Sequence, residues 1–449
     1  MDGDECIVGL MAKHLYDGKE VPVFFWGQRY GFSLVEEGAI CVGYATGGMN
    51  EMSVKLAMLG LWTIGIVFFY LTLTRVSEKD SYLPLLVALV YIVSPAWAVG
   101  SMKAYLGSFM MGAIVMYIAM SQERAWTWVV AGMLIVLLCL QQPLWMAALQ
   151  PLVVYSIVKR QTVKKLMALL SGLVICALPF MLMHKTGNAF WSPGVFDYNI
   201  GRAAERIALV PQRVADNLKG YYFLSHVYDA PRSVLAFTYI FMGVIVLLLA
   251  AGGYYAITGF RSHRRYMVSV LAMLGVMAYT LLMPEYAPRY LLPLTGTVLL
   301  ALFLFLDGLG RKTSVICVGL GVMIAIGAVC MVGFRKYSCN PTTKEPLMAA
   351  IGYLEKNNVH EAYCTGSMLQ WQVDFYSQEK VICRFKPAKD RYVPYIKQVD
   401  EALAAHKPVA LMGYSIELPE MGRPKDYDAG GYRVYLGVDE GMVRGGGFE

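Results

Sequence analysis

The chain has 449 residues, of which 57% are apolar and 16% charged, against roughly 25% charged in an average soluble domain. That balance excludes a single water-soluble globule. The net charge of +7 does not point to nucleic acid, because the Lys and Arg residues concentrate in every second connection between apolar stretches, a pattern that membrane topology accounts for.

Residues 1–53 carry eight acidic side chains against three Lys/Arg. Ile7, Leu10, Met11 and Leu15 fall at helical spacing and predict a short amphipathic helix, with Asp4 placed to cap its start and Gly18 its end. The aromatic, glycine-rich run Pro22-Val23-Phe24-Phe25-Trp26-Gly27-Gln28-Arg29-Tyr30-Gly31 follows. It suits a membrane surface or a sugar-binding wall. No cleavable signal peptide is expected ahead of Met1-Asp2-Gly3-Asp4-Glu5.

Ten apolar stretches come next, near residues 54–74, 82–102, 104–120, 125–141, 143–158, 164–183, 234–257, 267–283, 290–306 and 313–333. Each approaches the ~20 residues that a helix needs to cross ~30 Å of hydrocarbon. Gln141-Gln142-Pro143 divides the fourth from the fifth, and the two are read as a hairpin. Arg75 and Lys79, Arg124, Lys159 to Lys165, Arg261 to Arg265, and Arg311 and Lys312 mark alternate loops as cytoplasmic, while the intervening short turns carry only Lys103 and Arg289. Both ends then face outward. The expected domains are an outward N-terminal segment (1–53), a transmembrane domain (54–333) with a long outward loop (184–232), and an outward C-terminal domain (334–449). Few ionisable side chains lie within the spans and no repeat relates the two halves, which counts against a transporter.

The C-terminal region alternates helices near 344–358 and 391–405 with strand-like runs near 361–365, 380–385, 408–414 and 432–438. That alternation predicts a small α/β layer structure. It contains no dinucleotide fingerprint, P-loop or nucleophile elbow. Five of the nine cysteines fall in the outward parts, none in a Cys-x-x-Cys pair, so cysteine offers no metal site. Cys364 and Cys383 lie on two of the strand-like runs and are open to either reading, a bridge or free thiols.

Asp4-Glu5 is the sharpest polar constellation. A carboxylate near the membrane surface can accept a proton from an attacking hydroxyl, and an adjacent acid raises the pKa of one member of the pair. The alternative is a pair of acids favoured at a helix N-terminus by capping and by the macrodipole. Glu36 and Glu37 admit hydroxyl or divalent-ion binding, or a solvated acidic turn.

The stretch Asp4-Glu5-Cys6-Ile7-Val8-Gly9-Leu10-Met11-Ala12-Lys13-His14-Leu15, with Trp26-Gly27-Gln28-Arg29-Tyr30-Gly31-Phe32-Ser33-Leu34, resembles the first outward loop of GT-C glycosyltransferases. More narrowly it is similar to family 39-like bacterial members related to protein O-mannosyltransferases and the aminoarabinose transferase of lipid A. Ser94-Pro95, Leu178-Pro179, Pro288-Arg289-Tyr290-Leu291-Leu292-Pro293 and Arg391-Tyr392 extend the resemblance over most of the chain. It implies a mainly α, polytopic membrane bundle of about ten spans with a small α/β non-cytoplasmic domain, set in the bacterial inner membrane. The family has a membrane helix before its Asp-Glu pair, whereas only Met1 to Gly3 precede the pair here, so this chain is expected to lack that helix.

The resemblance further implies inverting transfer of a sugar from a polyprenyl-phosphate donor to a hydroxyl of a lipid, glycan or protein acceptor. Asp4 is the expected base, with Glu5 beside it. Arg289, with Lys103 and Tyr290, is expected on the donor phosphate, since guanidinium matches phosphate geometry; the alternatives are a snorkelling anchor for Arg289 and a solvated turn for Lys103. Gln28, Tyr30, His184 and Lys185 are candidate substrate contacts. No cofactor is required by any residue cluster, and a divalent cation remains compatible. A non-catalytic scaffold or sensor of the same fold, or a lipid or solute transporter, are the rival readings.

Overall fold

Helices dominate the chain. The computed structural model describes residues 1, 3–27, 31–77, 81–93, 106–121, 124–160, 163–185, 251–254, 264–282, 292–308, 318–322, 344–385, 391–415 and 426–439, with a few isolated positions besides. In chain order the helices are α1 (Gly3–Tyr16), α2 (Leu34–Gly47), α3 (Glu51–Val76), α4 (Leu83–Val93), α5 (Leu106–Ser121), α6 (Ala125–Gln141), α7 (Leu144–Arg160), α8 (Val163–Lys185), α9 (Arg264–Leu282), α10 (Leu292–Gly308), α11 (Lys344–Lys356), α12 (Ser367–Tyr376) and α13 (Val393–Ala404). The strands are β1 (Glu361–Cys364), β2 (Ile382–Phe385), β3 (Val409–Tyr414), β4 (Tyr427–Ala429) and β5 (Tyr432–Tyr435). Two units result, one made of Met1–Met58 with Asn340–Glu449 and the other of Leu59–Cys339.

The first unit is built on a five-stranded sheet of order β2-β1-β3-β5-β4. Its parallel half, β2-β1-β3, arises because helices α12 and α13 carry the chain back between successive strands, as parallel pairing requires. The β5 and β4 edge is antiparallel. Leu347, Ala350, Ile351 and Leu354 of α11 recur at helical spacing and pack with Ala362, Cys364, Val373, Cys383, Ala410, Met412 and Val434 into one core. Cys364 and Cys383 are neighbouring buried thiols within it.

α1 enters this unit buried on nearly every side, including Glu5, Cys6, Ile7, Val8, Leu10, Met11, Ala12 and His14. The amphipathic helix expected there is instead a core helix. Gly9 makes that possible: a Cβ would lie 2.5 Å from the Phe375 ring on α12, and Tyr44 of α2 donates a hydrogen bond to its carbonyl. Gly18, with φ of 68°, ends the helix in a left-handed turn whose following N–H reaches back to the His14 carbonyl.

In the second unit, α6 and α8 meet at two glycines. A Cβ on Gly132 would lie 2.3 Å from the Leu169 carbonyl oxygen, and one on Gly172 would lie 2.0 Å from that of Val129, the close approach that small residues permit between apolar helices. A row of rings, Phe69, Tyr91, Phe109 and Trp145, with centroids 5.1, 5.3 and 6.4 Å apart, joins α3, α4, α5 and α7. Helices occupy eight of the ten expected apolar stretches, and the stretches near 234–257 and 313–333 lie mostly outside the described residues. The break at Gln142 and Pro143 does separate two helices. Two helices, Glu51–Val76 and Val163–Met181, meet both the length and the apolarity of a membrane crossing among the described residues.

Candidate functional site

Asp4 and Glu5 stand in the first turn of α1, where acidic side chains complement the helix dipole. Successive helix positions point about 100° apart, and the two carboxylates accordingly take different partners. Glu5 is buried and paired with Lys55 of α3 at 2.5 Å. Asp4 remains 27% exposed, with its Oδ1 3.5 Å from the Arg391 guanidinium. The two acids expected to share one site thus face different cations among the described residues, Lys55 for Glu5 and Arg391 for Asp4, and Asp4 is the accessible member.

Arg391 reaches Asp4 because the aromatic loop holds it. The loop is pinched by a bridge between Phe24 and Phe32 and by the Phe25 N–H on the Gly31 carbonyl. Its next three residues each engage the segment before α13. The Arg391 guanidinium lies over the Phe25 ring at 5.3 Å, a cation–π contact. Trp26 stacks on Tyr392 with centroids 4.0 Å apart. Gly27, with φ of 72°, passes so close that a Cβ would be 2.8 Å from the Arg391 Cα; both the conformation and the space demand glycine.

At the other end of α1 lies a polar centre built from residues far apart in sequence. His14 is buried, its Nε2 2.7 Å from Glu379 and its Nδ1 3.1 Å from Glu20. Only an imidazolium donates from both nitrogens. Burial alone would lower the His14 pKa, but hydrogen bonds and charge from Glu20 and Glu379 outweigh it and the net shift is upward. Glu379 also accepts from Lys13 at 2.5 Å, Lys19 at 3.1 Å and the Tyr395 hydroxyl at 2.8 Å. Burial pushes its carboxyl upward, yet His14 and Lys13 hold it well below the usual carboxylate range. Trp26 completes the centre by donating its indole N–H to Glu20 at 3.0 Å. Neither His14 nor Glu379 stands out in the sequence as a site residue, and their separation of 365 positions hides the pair.

Glu36 and Glu37 are not a solvated turn: both are fully buried in the first turn of α2. Burial, helped by the charges of Glu36 and Glu20 and opposed by a hydrogen bond from Ser33, pushes the Glu37 carboxyl up to about 8. Of the other expected site residues, Gln28, Tyr30, Lys103, Arg289 and Tyr290 lie outside the described residues, and His184 and Lys185 close α8 with their side chains outside them. Among the described residues no three His, Cys, Asp or Glu side chains group as a metal site.

The chain is mainly helical, and its N-terminal helix packs into a small mixed sheet formed by its C-terminal region. Two solved structures of ArnT from Cupriavidus metallidurans share this fold. The one bound to undecaprenyl phosphate superposes at a TM-score of 0.62 with 12% identity, over 97% of this chain and 94% of that one. The apo form gives 0.58 and 13%, over 97% and 93%. No protein-family model and no curated protein sequence matches the chain. The resemblance read from the sequence is thus borne out as a likeness of fold.

Proposed function

We propose that the chain is a membrane-embedded glycosyltransferase that moves a sugar, with inversion, from a polyprenyl-phosphate donor to an acceptor hydroxyl at the outward face of the bacterial inner membrane. The observation that carries this reading is a fold shared over 97% of the chain with ArnT, joined to an accessible carboxylate at the start of α1. The lipid setting is supported by α8, where Val174, Ile175, Leu178 and Met181 are each more than half exposed, a surface that hydrocarbon would cover.

In the proposed step Asp4 takes the proton of the acceptor hydroxyl as its oxygen bonds to C1 of the sugar. The bond from C1 to the phosphate oxygen breaks, and its electron pair leaves with the lipid phosphate. Arg289, Lys103 and Tyr290 are assigned to that phosphate, where preorganised cations stabilise the developing charge. Gln28, Tyr30, His184 and Lys185 are assigned to substrate contact. The step calls on no cofactor, and a divalent cation bound with the donor phosphate is compatible with it.

Sugar transfer from a polyprenyl-phosphate donor, measured for the wild-type chain and for Asp4→Asn, tests the assignment. The variant should lose about 10²–10⁴-fold in rate, the usual contribution of a general base, while still binding undecaprenyl phosphate. Wild-type transfer by Asp4→Asn would refute the role of Asp4, and absence of transfer by the wild type across a panel of donors would favour a non-catalytic member of the fold.

A further inference from the structure

We propose that Arg391 is a positioning residue for Asp4, orienting the carboxylate for proton abstraction, rather than a ligand of the donor phosphate; the inference rests on the role given to Asp4 above. Among the described residues the Arg391 guanidinium is the one partner of the Asp4 carboxylate, at 3.5 Å. Contacts of this kind are often long before substrate arrives and tighten in the reacting complex.

The surroundings are built to deliver that side chain. Three consecutive loop residues act on it or on its neighbour: Phe25 beneath the guanidinium, Trp26 stacked on Tyr392, and Gly27 against the Arg391 backbone. Tyr392 and Tyr395 are anchored in turn at His14 and Glu379. The polar centre at one end of α1 thereby sets the start of α13, and the start of α13 sets the cation at the other end of α1. Glu5 is already committed to Lys55, so the arrangement singles out Asp4.

The chemistry decides between the two roles open to a cation here. In an inverting displacement the base serves one face of the sugar and the leaving group departs from the other, and in inverting glycosidases the two carboxyl groups that serve opposite faces stand roughly 6.5–9.5 Å apart. A guanidinium in contact with the base is therefore on the acceptor side. There its fork can fix the carboxylate plane, which an ammonium does less well.

Arg391→Gln keeps the stem over Phe25 and removes the charge. Its kcat should fall about 10–100-fold, as expected when a reacting group is misplaced by ~1 Å, with donor KM and undecaprenyl phosphate affinity within about twofold of wild type. Arg391→Lys should fall between the two, and in an Asp4→Asn background Arg391→Gln should cost nothing further. An unchanged kcat, a loss of undecaprenyl phosphate affinity matching the loss of kcat, or an equal cost in the Asp4→Asn background overturns the proposal. If Arg391→Gln does not fold, the Arg391→Lys comparison stands alone: a kcat about threefold or more below wild type at constant KM supports the role, and any other result overturns it. Full activity of Asp4→Asn sinks the underlying mechanism instead, so the two failures are told apart.

Discussion

His14 illustrates how a single buried side chain couples the lower end of α1 to acidity. Its pKa is raised above the ordinary 6.5, so its stabilising contribution is complete below that pH and is lost as the pH climbs through the raised value. Glu379 behaves oppositely: its pKa is lowered from 4.5, so its contribution is complete above that pH and fades as the pH falls. The cluster is strongest between pH 4.5 and 6.5. Lys13, whose own pKa is raised above 10.5, stays charged on the alkaline side and keeps Glu379 paired, so within this cluster the His14 share is the one lost there. We expect hydrogen-exchange protection of α1 to peak near pH 5.5 and to weaken by pH 9. Thermal unfolding should drop by about 2–4 °C over that range, the shift that ~1 kcal/mol produces in a unit of this size. His14→Gln should make the alkaline limb shallower, the remainder coming from the buried Glu37, whose carboxyl, raised from 4.5 to about 8, costs stability as the pH climbs between those values; a limb as steep in the variant as in the wild type would remove His14 as a cause.

Among the elements, the α6 and α8 contact is the most sensitive to added volume. Gly132→Ala or Gly172→Ala places a methyl group within 2.3 or 2.0 Å of a facing carbonyl oxygen, so the helices must part. Overpacking of this kind costs about 1–3 kcal/mol, and the double variant should cost less than the sum because the first separation relieves the second. Detergent-solubilised unfolding temperatures would show this, and unchanged values would mean that the helices do not approach so closely. The long elements were legible because their signals are local. Uninterrupted apolar runs marked α3 and α5 to α8, and period-2 and period-3.6 patterns marked α11, α13, β1 to β3 and β5. The missed elements depend on distant partners. On α12, the buried polar residues Gln370 and Asp374 break the apolar pattern, and their partners are the backbone N–H groups of Phe385 and Cys383 on β2. β4 has three residues and exists only through β5. α2 did carry a local signal, Ser33 followed by Glu36 three positions on, which the surrounding glycines masked. Asp4 was legible as a helix-start acid; its cation, 387 positions away, was not.

At the scale of the molecule, Met1–Met58 and Asn340–Glu449 form one unit, so a bilayer crossed by the intervening chain must be crossed an even number of times. Ten crossings satisfy that parity. With outward ends, the exposed Lys356 and Lys407 should be modified by a membrane-impermeant amine reagent on intact cells, while Lys164 should be modified only after lysis. The reverse pattern would invert the proposed orientation. The same discontinuity bears on biosynthesis. α1 leaves the ribosome well ahead of its partners on α12 and at Glu379, which follow some 350 residues later, an interval on the order of tens of seconds at ~5–20 residues per second. During that interval Ile7, Leu10 and Met11 have no sheet to rest on. The interface of the bilayer, or a chaperone, must hold them, and Asp4 stays without Arg391 until that later segment has been made. Synthesis order thus acts as a lock, keeping the Asp4–Arg391 pair from forming until late in translation.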